Sequence, residues 1–462
     1  MLLQLAIKNF RSFKGETVFS MVASKDDQHS DHTVAAPVKD HRVLRTAAIY
    51  GANAAGKSNL VKALAFIQNL IVNGTRGENA IPVDPFLIDP ETAGKDSKFG
   101  FTIAANGIIY EYGIALNSRQ ITEEWLYVTK NVKEQPWFER KTSPEGKVTV
   151  EPFHDLARKG TKEYQRLEFI AEGTRPNQPF LTELGEKNVT EVKPLLYWFE
   201  NVLTVITPAS EYEALPLRTL TDKTFAKYLH GVMRLADIGI SEIKAIKTEQ
   251  DLEELVRGVP SAVKDQIRTN LTKGEQVVME GKNLRGEKKK ILLKSSSSGS
   301  ITGEILQIKT VHIGPNGNAV EFEFGRESDG TQRLAHLAPA FFDASASPKV
   351  FFVDELDRSL HPLLTRMLVQ LFLSLRGESQ LAFTTHDTNL LDLELLRRDE
   401  IWFMEKDREQ STRLYSLVEY KPRTDLKLEK NYLQGRFGAI PYIGDVSRLG
   451  QDVTGAGGGA GS

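Results

Sequence analysis

Two short stretches of this chain carry residues whose types and spacing could do chemistry. The first, "IYGANAAGKSNL" (49–60), contains Gly51-x-x-x-x-Gly56-Lys57-Ser58. Glycines at that spacing let backbone N–H groups curl around phosphate oxygens, a lysine reach the β and γ phosphates, and a serine hydroxyl take Mg²⁺. A helix starting there points its positive end at the same anion. Asn53, Gly56, Lys57, Ser58 and Asn59 are the candidate nucleotide-binding residues, with Ser58 also a candidate metal ligand. The second stretch, "FFVDELDRSLHP" (351–362), is an apolar run that ends in Asp354 and Glu355. Burying an unpaired carboxylate is costly, so such a pair belongs where a cation or a substrate charge waits for it. Asp354 is placed to hold Mg²⁺ directly or through water. Glu355 is placed to orient and deprotonate an attacking water. Together the two stretches predict hydrolysis of a nucleoside triphosphate.

These groups need elements to hold them. "LLQLAIKNF" alternates like a first strand, and "RVLRTAAIY" (42–50) reads as a buried strand leading into the glycine-rich loop. Residues 58–71 place apolar groups at helical spacing directly after it. "KFGFTIAANGIIYEYGIAL" predicts two strands around the tight turn Asn106-Gly107, and "WLYVTKNV" and "KVTVEPF" extend this antiparallel region. From about 156 to 305 "KPLLYWFENVLTVI", "KTFAKYLHGVMRLADI" and "TEQDLEELVRGV" predict helices, and "GKNLRGEKKKILLKSSSSGS" an exposed basic and serine-rich loop. "HIGPNGNAVEFEF" returns to alternation, and 350–354 and 381–385 predict short apolar strands around a helix that Pro362 opens and Gly377 closes. The expected organisation is therefore 1–155, 156–305, 306–450 and a flexible tail or appended linker at 451–462.

Composition narrows the function classes. The net charge of −2 and pI near 6.6 exclude a chain that is a nucleic-acid-binding polycation throughout. With no cysteine, disulfides, thiolate zinc sites and a cysteine nucleophile are excluded. No run is long and apolar enough for a signal peptide or a membrane span, which leads to the expectation of a cytoplasmic protein.

Nearly three hundred residues separate Lys57 from Asp354, far more than in compact P-loop enzymes. With that gap the chain resembles the ATP-binding-cassette type of ATPase, in the branch of SMC and Rad50 proteins, RecF and the OLD-type ATPases. The resemblance rests on "LAIKNFRSFKG", the P-loop, "GRESDGTQRL" (325–334), which is similar to the signature motif, and "FTTHD" (383–387), which is similar to the switch-histidine strand. It implies an α/β fold: a P-loop cassette-type ATPase with an antiparallel β subdomain and a largely helical insertion. It further implies that Ser328, Gly330 and Gln332 meet ATP held by a second copy, that His386 senses the γ-phosphate, and that Asp357 lies in the D-loop. Ser328 is also a good N-cap in its own right. The family's Q-loop glutamine has no counterpart in "IPVDPFLIDP".

Within that branch "EFEFGRESDGTQRL", "VDELDRSLHPLLTRMLVQLF", "TTHDTNLLD", "DEIWFMEKD" and "KNYLQGRFGAIPYI" resemble the AAA15-type ATPases of bacterial phage-defence modules. That group includes RloA-like proteins and the AriA subunit of the PARIS system. The resemblance implies ATP and Mg²⁺ as ligands, at least a homodimer, a separate effector that is a nuclease, and a phage protein as trigger. No nuclease domain is expected in the roughly seventy residues after "FTTHD". The alternative is a RecF-like clamp on duplex DNA, for which the basic run Lys282, Arg285, Lys288, Lys289, Lys290 and Lys294 speaks.

Overall fold

In the computed structural model the described residues are 1–37, 41–77, 79–130, 133–151, 153, 156–251, 261, 264, 269, 271, 277–282, 288–295, 301–420 and 428–440. Arg285, the whole of "LEELVRGV" and the tail 451–462 lie outside them. The chain forms two compact units, one of residues 1–208, 348–356 and 369–462, the other of 209–347 and 357–368. Among the described residues no helix is long and apolar enough to cross a membrane.

The first unit holds two sheets and one continuous hydrophobic core. Its antiparallel sheet runs in the order 148–151, 133–142, 121–130, 108–116, 97–105, 2–8, 17–20. Strands Ser97–Ala105 and Ile108–Leu116 meet at the expected turn, where Asn106 (φ 52°) and Gly107 (φ 75°) both take the left-handed conformation. That pair of positive φ angles matches the twist of the flanking strands.

The second sheet runs in the order 203–206, 350–353, 380–384, 46–51, 401–406, 412–416, with the first five strands parallel and the last antiparallel. "TAAIYG", "VFFV" and "QLAFT" are buried at every position, as strands covered on both faces must be. The helix Lys57–Asn73 buries Leu60, Ala63, Leu64, Ile67, Leu70 and Ile71, the apolar stripe its spacing predicts. "KPLLYWFENVLTVI" departs from a continuous helix. After Lys193–Tyr197 it makes one π turn, Trp198–Val202, and then becomes the strand Leu203–Ile206. The β-branched run Val-Ile finds a parallel partner in Val350–Val353 that a helix would forgo.

In the second unit the helices Leu215–Thr221 and Lys223–Leu235 are followed by long antiparallel strands. Ile301–Ile313 pairs along one edge with Ile240–Asp251, and along the other with Lys288–Ser295 and then Ala319–Glu323. The segment 156–305 therefore joins helices to a sheet. "TEQD" ends a strand where helical spacing suggested a helix, and Lys288, Lys289, Lys290 and Lys294 lie on a strand where a loop was expected. Cross-strand pairing outweighs local preference here, since a strand's fit is set by its neighbours. The helix Asp329–Ala346 completes the unit.

Candidate functional site

The parallel strands bring the predicted groups of the first unit to one edge. Register pairs Val353 with Phe383, Thr384 with Ile49, and Met404 with Gly51, so all these strands end together. The strand ending in Thr384 lies between the P-loop strand and the acidic strand. At a strand spacing of about 4.8 Å the outer two are roughly 10 Å apart. Ligands of open parallel sheets bind at this carboxyl edge.

The loop Ala52–Gly56 is shaped by close packing. A Cβ at Gly51 would run into the carbonyl oxygen of Met404, and one at Gly56 into Thr412 Oγ1 and, at 2.8 Å, Ser12 Oγ. Ala54 (φ 64°) and Gly56 (φ 114°) take left-handed conformations, the kind of turn from which anion-binding loops are built. For an alanine that conformation costs about 1–2 kcal/mol, so the surroundings must hold it. They do so from beneath. Thr412 Oγ1 lies 2.8 Å from both the Ala55 carbonyl oxygen and Ser12 Oγ, and the Asn59 amide donates to Ser12 Oγ at 2.9 Å. Asn59 thus braces the loop through its side chain, while Asn53 stands exposed at the loop's tip. Gly56 caps the following helix without a side chain, so nothing of its own covers the first helical amides. Lys57 is buried and donates to the carbonyl oxygens of Gly51 (2.6 Å) and Ala52 (3.2 Å); Ser58 beside it is half-buried.

On the neighbouring strands Thr384 organises the acidic pair. Its hydroxyl donates to Asp354 Oδ1 at 2.7 Å and accepts the amide of Glu355 at 2.8 Å. The Leu356 amide donates to the Thr384 carbonyl at 3.0 Å, which fixes the turn on both sides. Asp354 is buried; Glu355, half-buried, has φ 51°, a strained left-handed turn of the kind that re-aims a side chain at functional sites. His386 is exposed two residues beyond Thr384. Asp387 behind it accepts the amide of Asn389 at 3.0 Å and its side-chain nitrogen at 2.7 Å.

The second unit holds the remaining predicted residues. Ser328 is the N-cap of the helix Asp329–Ala346, its hydroxyl accepting the Thr331 amide at 3.2 Å. A Cβ on Gly330 would strike the carbonyl oxygen of Ser359. The segment from Asp357, closed by a Leu360 amide to Asp357 carbonyl bond of 3.0 Å, therefore lies directly against the helix start. Gln332 donates from Nε2 to the Glu327 carbonyl at 2.9 Å. Glu327 in turn accepts from Thr310 Oγ1 and lies 2.8 Å from His312 Nε2, so the strand Ile301–Ile313 grips the residue before the cap.

Ser12, Thr384 and Thr412 were not singled out from the sequence. Ser12 sits in the quoted "NFRSF" and Thr384 in "FTTHD", but a lone hydroxyl at a strand end carries no spacing signal. Their placement depends on strands far apart in the chain.

The residues present fit a nucleotide with Mg²⁺: a tightly supported glycine-bounded loop at a helix start, a lysine at its base, and a buried carboxylate with one oxygen already held. A search of curated proteins finds no match. Among solved structures the chain is similar to an SMC head bound to the C-terminal winged-helix domain of ScpA (13% identity, TM-score 0.42, 91% of this chain and 99% of that one). It is also similar to the SMC head domain from Thermotoga maritima (12% identity, TM-score 0.38, 90% and 98% covered). A third is the Smc head domain with an extended coiled coil bound to the C-terminal domain of ScpA derived from Pyrococcus furiosus (14%, 0.36, 91% and 97%). A family model matches residues 47–392, a span that holds the P-loop, the acidic pair and His386, and the chain belongs to that family, described as AAA domain, putative AbiEii toxin, Type IV TA system.

Proposed function

We propose that this P-loop ATPase hydrolyses ATP between two copies of the chain and uses that cycle to hold or release a separate toxic effector, a nuclease, in bacterial anti-phage defence. The observation that carries the hydrolytic part is the Thr384 clamp on Asp354 and Glu355 at the edge where the P-loop ends. The family's description, which names the AAA domain itself as a putative toxin of a toxin–antitoxin system, supports a place in toxin-based defence.

In this reading the loop amides and Lys57 bind the β and γ phosphates, Lys57 turning from the Gly51 and Ala52 carbonyls to phosphate oxygens. Ser58 and Asp354 hold Mg²⁺, which when bound neutralises charge on the phosphates. Glu355 accepts the proton of the attacking water, and the left-handed turn fixes where its carboxylate points. His386 contacts the γ-phosphate from the strand tip. Ser328, Gly330 and Gln332 offer the start of a helix to the ATP of the opposite copy, with Asp357 beside them. ATP then favours the closed pair by its differential affinity, and the effector reads which state is populated.

The test is a phage challenge of cells carrying the chain with its neighbouring genes, alongside a turnover assay on purified protein. Lys57→Ala and Glu355→Gln are both expected to lose turnover by at least about 100-fold and to lose protection. Full protection by either variant would overturn the defence reading, while undiminished turnover would overturn the site.

A further inference from the structure

Away from the nucleotide-binding edge, one short turn gathers three side chains that bind metals. Ser30–His32 form a single 3₁₀ turn, entered through His29 in the left-handed conformation (φ 48°, ψ 55°). This places His29, Asp31 and His32 together, with their ligating atoms all within 4.8 Å of one another. His32 is buried, His29 half-buried and Asp31 exposed, so the group sits at the surface with one side open to water.

The second observation concerns the other nitrogen of each ring. His29 Nε2 lies 2.8 Å from the carbonyl oxygen of Leu393, and His32 Nδ1 lies 3.1 Å from Oε2 of the buried Glu400. A carbonyl can only accept, so His29 carries its proton on Nε2, which leaves the Nδ1 lone pair for a ligand when the ring is neutral. An ionised Glu400 accepts the Nδ1–H of His32, which leaves Nε2 for a ligand. Glu400 is itself oriented by the Arg397 amide at 2.7 Å. Metal-bound histidines show this same outer arrangement, one nitrogen on the ion and the other N–H on a carboxylate or carbonyl. Arg45, whose amide donates to the His32 carbonyl, turns its guanidinium to the carbonyl oxygens of Leu373 and Leu375 (3.1 and 2.6 Å).

We propose that His29, Asp31 and His32 bind one divalent first-row transition cation of the Zn²⁺ type, with water completing the coordination. Two imidazoles, one carboxylate and an open position suit that ion, and none of these residues belongs to the nucleotide site. Ligands at about 2.0–2.1 Å from a tetrahedral ion stand roughly 3.4 Å apart. The exposed Asp31 side chain and the half-buried His29 ring must therefore draw in by up to about 1.4 Å, and the His29 ring must tilt from its stack on His32 (centroids 4.8 Å apart, planes at 16°). Binding would brace the turn against the segment 393–400, which already meets it through Ser24–Asp399 and Asp26–Arg398 contacts, each of 2.7 Å. The site stands or falls independently of the ATPase reading.

The experiment uses the full chain, purified without a polyhistidine tag and stripped of metal, titrated with Zn²⁺ against a chromophoric chelator and separately with Co²⁺. One Zn²⁺ per chain is expected. Asp31→Asn and His29→Gln should each weaken binding at least tenfold, and Glu400→Gln by about 10- to 100-fold. Visible Co²⁺ absorption of a tetrahedral site should appear in the wild type and vanish in His29→Gln. Because Asp31 is exposed, Asp31→Asn keeps the fold, which an unchanged circular dichroism spectrum verifies. No saturable binding below about 100 μM in the wild type, or wild-type affinity in both Asp31→Asn and His29→Gln, would overturn the site.

Discussion

The hydroxyl of Thr384 is the smallest group on which the reading of this site depends. It donates to one oxygen of Asp354 and accepts the amide of Glu355, so a single side chain orients both carboxylate-bearing residues. Thr384 is fully buried, and valine has nearly its shape, so Thr384→Val removes the two bonds with little change in packing. A hydrogen bond to a charged group is worth about 1.5–3 kcal/mol, which corresponds to roughly a 10- to 100-fold loss of turnover. The KM for ATP should move less than about threefold, because binding rests mainly on the P-loop amides and Lys57. Steady-state kinetics check this split, and a large KM change with kcat intact would assign Thr384 to binding instead. The residues to which the proposed mechanism gives the chemistry are visible in the sequence because they come in motifs. Thr384, Ser12 and Thr412 act on those motifs from other strands, and a hydroxyl that merely aims a carboxylate leaves no pattern along the chain.

At the scale of elements, a buried ion pair within the antiparallel sheet of the first unit ties that sheet to the segment 175–181. Arg140, on the strand Lys133–Thr142, donates to Glu124 Oε2 at 3.2 Å and to the carbonyl oxygens of Gln178 (2.5 Å) and Pro176 (2.9 Å). Glu124 in turn accepts the amides of Phe180 and Leu181 at 2.7 and 2.9 Å, at the start of the helix Phe180–Glu186. Both side chains are inaccessible to solvent. Arg140→Met would leave Glu124 charged and unpaired in the interior, and chemical denaturation is expected to show a loss of about 3–5 kcal/mol. A loss under about 1 kcal/mol would mean that the helix amides alone satisfy Glu124. Alternation and the Asn106-Gly107 turn made the strands of this sheet legible. Nothing local told that Arg140 and Glu124, sixteen positions apart, face inward as partners. The same limit governs "TEQD" and the lysine-rich strand, whose conformations follow from pairing with Ile301–Ile313.

At the scale of the molecule, the chain's two copies are the unit that the proposed mechanism requires. Ser328 caps a helix whose start lies against the segment from Asp357, with Gly330 making room for the Ser359 carbonyl, and the mechanism assigns that helix start to a phosphate supplied by another copy. Glu355→Gln should bind ATP without turning it over and so accumulate the closed form. Light scattering after size exclusion is expected to show a doubled mass with Mg²⁺-ATP and not without it. A monomer in both conditions would leave the P-loop standing and remove the composite site. An unchanging large assembly would point to a scaffold that forms before ATP acts.

By itself the sequence carried the P-loop motif at Gly51–Ser58 on which the proposed nucleotide site rests, and it determined that an acidic pair ends a buried strand and that the P-loop is followed by a helix. These are properties of neighbours along the chain, where covalent geometry and side-chain period dictate the outcome. The tertiary structure decided which strand stands between the P-loop and the acidic pair, and thereby that Thr384 reaches both carboxylates. It also decided that residues 203–206 complete the sheet, and that His29 and His32 turn their outer nitrogens to Leu393 and Glu400. Such contacts join residues some 30 to 370 positions apart, and their free energy comes from burial and pairing that no local window contains.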